Sequence, residues 1–334
     1  MFLFTTNKYS GEEKMDSHFE WEGLKRTKII VEDYSPLSLS PKLRKFCREN
    51  KIDRLVNIGN YFGCIPILFA TLLSKRDYVI NFLSDILNQY KIAESLKYSS
   101  IFLLKLFVLY PLVFFSTKVL MNDINNFRRA PIFFLTKMRK INYLPPPIDT
   151  SFYKPMNKIE ARKKLQIPPE KKVIIFVGRV NYLKCSDILK KVVEKNKDIL
   201  FLVIGEVLDK DLLKFNCPNL KLLGKKPSSE LPSYYNSSDL GFFINRGGAG
   251  MGFANIEAVA CGIPILVSNQ FDLIKSKSLF IVSLSFPSVN KTIQKFFTLS
   301  PNHREKLSSV ARQYAIKNYS EEKWKEKYIE GYLD

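Results

Sequence analysis

The stretch INRGGAGMGFANIEAVACGIPILV, Ile244 to Val267, places four glycines (Gly247, Gly248, Gly250 and Gly252) within six positions. Before them, DLGFFI (Asp239–Ile244) reads as a buried strand; after them, ANIEAVACG (Ala254–Gly262) reads as a helix that ends on glycine. Glycines crowded into one strand-to-helix turn leave the backbone bare. Bare amides beside a helix N-terminus suit an anion such as a phosphate, and a tight flexible turn is the plainer alternative. The spacing is not GxGxxG, because Asn255 stands where the third glycine belongs. It is not a Walker loop, because no Gly-Lys-Ser/Thr follows.

Outward from this turn the chain alternates strands and helices. Strands are expected at 1–6, 28–33, 54–59, 78–83, 118–121 and 141–144, then at 173–178, 201–206, 220–224, 240–244, 264–268 and 279–283. Several are apolar without alternation, as in VIIFVG and FLVIGE, which parallel strands covered on both faces require. Helical stretches such as SPKLRKFCREN and SDILKKVVEKN lie between them. The fold class is therefore α/β, with two doubly wound, Rossmann-like domains. The proline-rich LPPPIDTSFYKP (Leu144–Pro155) marks the boundary. The expected division is 1–145, 146–315, and a terminal helix over 316–334 with its own aromatic face (Trp324, Tyr328, Tyr332).

A second strand end carries charge. VIIFVG runs into GRVNYLK, so Gly178, Arg179 and Lys184 sit beyond the strand's carboxyl end, where open α/β sheets bind ligands. Arg as a fork and Lys as a point charge can close on a diphosphate from the side opposite the glycines. Taken singly, each is better read as a solvated surface charge; together with the glycine turn in one domain, a diphosphate clamp is the better reading. Glu257, inside the helix after the glycine turn, either stabilises the helix end or accepts the two hydroxyls of a ribose.

Composition narrows the partners. The 334 residues hold 52 Lys+Arg against 32 Asp+Glu, a formal charge of +20. Such an excess favours an anionic partner, such as a phosphorylated substrate or a membrane surface, unless it reflects only a compositional bias toward lysine. No recognition-helix motif, RNP-like aromatic stretch or zinc finger is present, so nucleic acid is not expected. Five cysteines without a CxxC pair and two histidines (His18, His303) argue against a zinc site and fit a reducing compartment. The most apolar segment, IFLLKLFVLYPLVFF (Ile101–Phe115), carries Lys105 and Pro111 and is shorter than the roughly 20 residues of a spanning helix. It reads as a buried helix broken at the proline, or as an interfacial membrane contact. The expected location is the cytoplasm, with the cytoplasmic face of the membrane as a further setting.

With these residues in hand, the chain resembles the retaining nucleotide-sugar glycosyltransferases of the GT-B fold, family 4 (glycosyl transferases group 1). The similar text is FVGRVNYLK, LVIGE, NLKLLGKKPSSELPSYYNSSDLGFFI, GMGFANIEAVACGIPILVSN and LPPPIDTSFYKP, with DRLVNIGNYFG and YVINFLSDI agreeing more loosely. The resemblance implies two Rossmann-like domains facing across a cleft, a nucleoside diphosphate sugar as donor, a glycan or lipid-linked saccharide as acceptor, and no obligatory cofactor or metal. By the same resemblance, Arg179 and Lys184 hold the donor diphosphate and stabilise its departing charge. Gly178 lies at that strand end, and Gly250, Met251, Gly252 and Phe253 bring backbone to the phosphates. Glu257 binds the ribose, and the backbone at Lys226 and Pro227 borders the base. No protein nucleophile is implied.

Three features depart from the family pattern. The glutamate usual eight positions before Glu257 is Ala249 here, and a lost buried hydroxyl contact costs about 1–3 kcal/mol. Asn245 or Arg246 is a candidate replacement. The family's His-Asp pair is matched by Ser84-Asp85, with His18 elsewhere. The N-terminal domain begins as if at the family's second strand: either the domain is reduced by its first βα unit, which would leave a sheet edge or helix face for a partner or a membrane to cover, or Met1 is an internal start. The alternative reading is a non-catalytic GT-B descendant that binds a nucleotide sugar or a partner without turnover.

Overall fold

The computed structural model describes residues 2–5, 28–31, 36–52, 54–58, 77–82, 113–122, 141–246, 251–269 and 274–333. The chain divides into two compact units, residues 1–80 with 108–117, and residues 81–107 with 118–334.

In the first unit, β1 (Phe2–Thr5) and β2 (Lys28–Val31) pair in parallel, Phe2 opposite Lys28 through Thr5 opposite Val31. Helix α1 (Pro36–Glu49) buries Leu43 and Cys47, one turn apart, against Ile52 and Leu55. Strand β3 (Arg54–Ile58) follows, and β4 (Asp77–Phe82) crosses the division between the units. Of the apolar segment Ile101–Phe115, only 113–115 lies among the described residues. It is helical there, but with one side only covered: Val113 is fully buried, whereas Phe114 and Phe115 are half exposed. The body of the expected buried helix, up to the break at Pro111, lies outside the described residues. The expected strand through KVLM follows.

In the second unit, β5 (Lys118–Met121) pairs in parallel with β6 (Ile141–Tyr143). The six remaining strands make one parallel sheet: β7 (Lys172–Val177), β8 (Ile199–Ile204), β9 (Leu220–Leu222), β10 (Leu240–Phe242), β11 (Ile265–Ser268) and β12 (Leu279–Val282). Their order is β12-β11-β10-β7-β8-β9, which is the doubly wound arrangement. Alternate residues of β7 enter opposite cores: Val173 and Ile175 on one face, Ile174 and Phe176 on the other. Burial on both faces is why this strand is apolar throughout.

The helices are α2 (Lys158–Lys164), α3 (Ser186–Lys195), α4 (Lys210–Leu213), α5 (Leu231–Ser237), α6 (Phe253–Ala260), α7 (Phe286–Phe297), α8 (Pro301–Tyr319) and α9 (Glu321–Leu333). Asp239, at the start of β10, accepts from the Val173 amide at 2.8 Å, Lys158 Nζ at 2.5 Å and Arg162 Nη2 at 3.0 Å. This network ties β7 to β10 at their amino ends. The linker is fastened by Arg312 of α8, which donates to the carbonyls of Thr150 (2.8 Å), Tyr153 (2.7 Å) and Ala260 (2.8 Å). Helix α9 brings Lys327 Nζ to 5.1 Å from the Tyr143 ring centroid, and its Trp324 and Tyr328 rings sit 4.8 Å apart. The Tyr332 side chain lies outside the described residues. No helix among the described residues is long and apolar enough to cross a membrane.

Candidate functional site at the switch point of the six-stranded sheet

Strand order reverses between β7 and β10: the chain runs from β7 outward through β8 and β9, then returns to β10 on the other side. Beyond the carboxyl ends of such a pair the two connections diverge and leave a crevice. The connections here are the two segments singled out in the sequence.

Three neighbouring strands end on glycines with positive φ: Gly178 (+142°) after β7, Gly205 (+130°) after β8 and Gly224 (+67°) after β9. The Gly178 amide donates to the Ile204 carbonyl at 2.9 Å, and the Gly205 amide to the Gly224 carbonyl at 2.8 Å. A side chain at 205 would put its Cβ 2.1 Å from the Gly178 carbonyl oxygen. The lip of the sheet is thus bare backbone at three strands. Sequence reading weighed only Gly178 as a site glycine, although the shared ending of apolar run plus glycine was visible in all three.

After Gly178 and the exposed Arg179, the chain makes a 3-10 turn at Tyr182–Lys184. Asn181 caps it, accepting from the Lys184 amide at 3.0 Å, and Cys185 closes it in the left-handed region at φ +57°. Lys184 is partly buried. Burial, and then the nearby positive charge of Arg179, hold its ammonium below the usual lysine range. Neither Arg179 nor Lys184 has an ion-pair partner among the described residues. Two adjacent like charges, one of them desolvated, are unfavourable until an anion joins them.

The segment after β10 meets that turn directly. The Arg246 amide donates to the Leu183 carbonyl at 2.8 Å, so Lys184 and Gly247 are covalent neighbours of a hydrogen-bonded pair. The Asn245 amide donates to Ser268 Oγ at 2.7 Å, and that hydroxyl donates back to the Asn245 carbonyl at 2.9 Å. Residues 247–250, with the expected contact at Gly250 and the substituted Ala249, lie outside the described residues, as do His18 and the Ser84-Asp85 pair. At the far end of the run, Met251 is buried, Gly252 is the N-cap of α6, and Phe253 is 59% exposed. Gly252 has no side chain with which to cap the first amides of α6.

Glu257 lies on the second turn of α6 rather than the first, so stabilisation of the helix start is not its role. Its Oε2 accepts from the Tyr235 hydroxyl at 2.7 Å, and the phenol of Tyr153 lies close enough to act on its charge. Burial raises its carboxyl above the ordinary range, against the two phenols, which lower it. Lys226 is partly buried and Pro227 exposed, in the loop that leaves Gly224 for a 3-10 turn at Ser228–Glu230. Lys225 pairs with Glu206 at 3.1 Å, joining that loop to the end of β8. Among the described residues, no group of three or more His, Cys, Asp or Glu side chains is placed to hold a metal ion.

Residues 157–314 match the model of the family described as glycosyl transferases group 1. That stretch, just under half of the chain, carries a glycosyl transferases group 1 domain. Over 144 residues it is 28% identical to a D-inositol 3-phosphate glycosyltransferase of Segniliparus rotundus, covering 39% of this chain and 32% of the relative. Over 154 residues it is 25% identical to the O-antigen biosynthesis glycosyltransferase WbnH of Escherichia coli, covering 44% of each. The matched stretch therefore spans less than half of either relative. The crystal structure of Anabaena Alr3699/HepE in complex with UDP superposes with a TM-score of 0.74 over 91% of this chain and 85% of that one, at 16% identity. The group 1 domain thus sits on a GT-B fold.

Two features of the group 1 domain escaped sequence reading. Arg246 is not a free replacement for the carboxylate missing at 249, because both terminal nitrogens of its guanidinium are engaged by Tyr182 and Asp187. The phenol of Tyr153, expected only as part of the linker, lies close enough to Glu257 to lower its carboxyl pKa. Neither contact has a local sequence signal, since the partners lie far apart along the chain.

Proposed function

We propose that this chain is a retaining glycosyltransferase that moves a sugar from a nucleoside diphosphate sugar to the hydroxyl of a glycan or lipid-linked saccharide. The bond from the anomeric carbon to the diphosphate breaks, and a bond from that carbon to the acceptor oxygen forms on the same face. The acceptor proton passes to the departing diphosphate. Arg179 and Lys184 stabilise the charge on that leaving group, which is electrostatic catalysis in a partly desolvated site. The amides at Gly250, Met251, Gly252 and Phe253 hold the phosphates, Glu257 accepts the ribose hydroxyls, and the backbone at Gly178, Lys226 and Pro227 borders the nucleotide. The reaction takes place in the cytoplasm or on the cytoplasmic face of a membrane, where the excess of basic residues favours an anionic acceptor.

One observation supports this reading: Arg179 and Lys184, without an ion-pair partner among the described residues, follow one strand of the switch-point pair, and the segment that leads to the glycines follows the other. A thermal-shift screen against UDP-, GDP- and ADP-sugars tests it. Stabilisation by one of them, followed by transfer of its sugar, is the expected result. No stabilisation by any of the three ends the proposal.

A further inference from the structure

Arg246 stands between β10 and the glycine run and is gripped by the segment that follows β7. Its Nη1 donates to the Tyr182 carbonyl at 2.6 Å and to Asp187 Oδ1 at 2.7 Å, and its Nη2 donates to Asp187 Oδ2 at 2.9 Å. Its guanidinium carbon lies 4.0 Å from the Tyr182 ring centroid. Its own amide holds the Leu183 carbonyl. A two-point fork onto a carboxylate combined with stacking on a ring fixes both distance and orientation, and lysine cannot reproduce it. Asp187 opens α3, so the anchor on that side is a regular helix and not a free loop.

We infer that Arg246 is a positioning residue: through Asp187 and Tyr182 it latches the turn bearing Lys184 to the segment that follows β10, presetting Lys184 for a diphosphate. This rests on the diphosphate reading of the site. Three of its five N–H donors are already engaged across the switch point, which favours a positioning part over a direct hold on the donor. Its contribution is preorganisation, since a ligand that had to assemble the two sides would lose affinity by ordering them.

The test measures, by calorimetry, binding of UDP, GDP and ADP and of the matching nucleosides to wild type, Arg246→Ala, Arg246→Lys, Asp187→Asn and the exchanged pair Arg246→Asp/Asp187→Arg. Melting temperatures are recorded alongside. For whichever diphosphate wild type binds, Arg246→Ala, Arg246→Lys and Asp187→Asn are expected to weaken it about tenfold, and the exchanged pair to recover part of the loss. Nucleoside affinity stays unchanged. Equal loss for nucleoside and diphosphate, or no loss for either, overturns the latch while leaving the diphosphate site standing. A wild type that binds none of the three diphosphates overturns both. Amide exchange gives a second reading should Arg246→Ala not fold: the Arg246 amide is protected in wild type and exposed in Asp187→Asn, with β8 unchanged. Equal protection in the two sinks the latch.

Discussion

A Cβ at position 205 would meet the carbonyl oxygen of Gly178 at 2.1 Å, closer than any real side chain approaches a backbone oxygen. Position 205 also has φ of +130°, which side chains rarely adopt. Gly205→Ala must therefore move the end of β8 away from the end of β7. The expected cost is about 2–4 kcal/mol, combining backbone strain with overpacking. Chemical denaturation measures it, and a loss below about 0.5 kcal/mol would show that the two strand ends are not in contact.

Removing either cation should disable transfer. Arg179→Ala or Lys184→Ala is expected to lower kcat/KM at least 100-fold, about 2.7 kcal/mol on the transition state. Normal turnover in both variants would remove the electrostatic mechanism.

Lys184 also sets a stability prediction of opposite sign. Burial and the charge of Arg179 lower its pKa in the folded protein, so the protonated form costs stability at pH values below that lowered pKa. The cost fades as pH rises through the range where the unfolded lysine titrates. Lys184→Met should therefore raise the melting temperature of the empty protein at neutral pH, with each kcal/mol worth about 2–4 °C. The gap should narrow toward alkaline pH. A lower melting temperature at neutral pH would mean that Lys184 already has an anionic partner.

Glu257 behaves as a carboxylate whose ionisation is opposed. Its pKa is raised chiefly by burial, so its favourable contribution is complete in acid and is lost as pH rises through the folded value. Glu257→Gln should be increasingly more stable than wild type as pH goes from mildly acidic to neutral. It should also bind the nucleotide less well, losing an acceptor for the ribose. Thermal melts across pH, with and without UDP, GDP and ADP, check both halves. Unchanged nucleotide affinity would contradict the ribose role.

Asp239 offers a control at the opposite end of the sheet. Its carboxylate joins β7, β10 and α2 through Val173, Lys158 and the buried Arg162. Asp239→Ala leaves Arg162 without its charge partner and should cost about 3–5 kcal/mol of stability. Nucleotide affinity of the protein that remains folded should not change, which calorimetry at low temperature can verify.

The local readings that held share one property: each depends on a short run of residues. Continuous apolar runs such as 173–177 and 199–204 became central strands because burial on both faces leaves no place for alternating polar residues. The glycine after each run was legible because backbone freedom belongs to the residue itself. Phe114 and Phe115 show the limit of that reasoning, since hydrophobicity alone did not say which side of a short helix would be covered.

By itself, then, the amino-acid sequence determined the alternating elements, the bare strand ends and the chemistry on offer there. Tertiary structure alone decided that β10 returns beside β7, that Arg246 meets Asp187 across 59 positions of chain, and that the Tyr235 hydroxyl bonds to Glu257. The physical reason is that contacts between distant residues follow from the direction in which each crossover packs onto the sheet. That direction is a property of the assembled core and is written in no single segment.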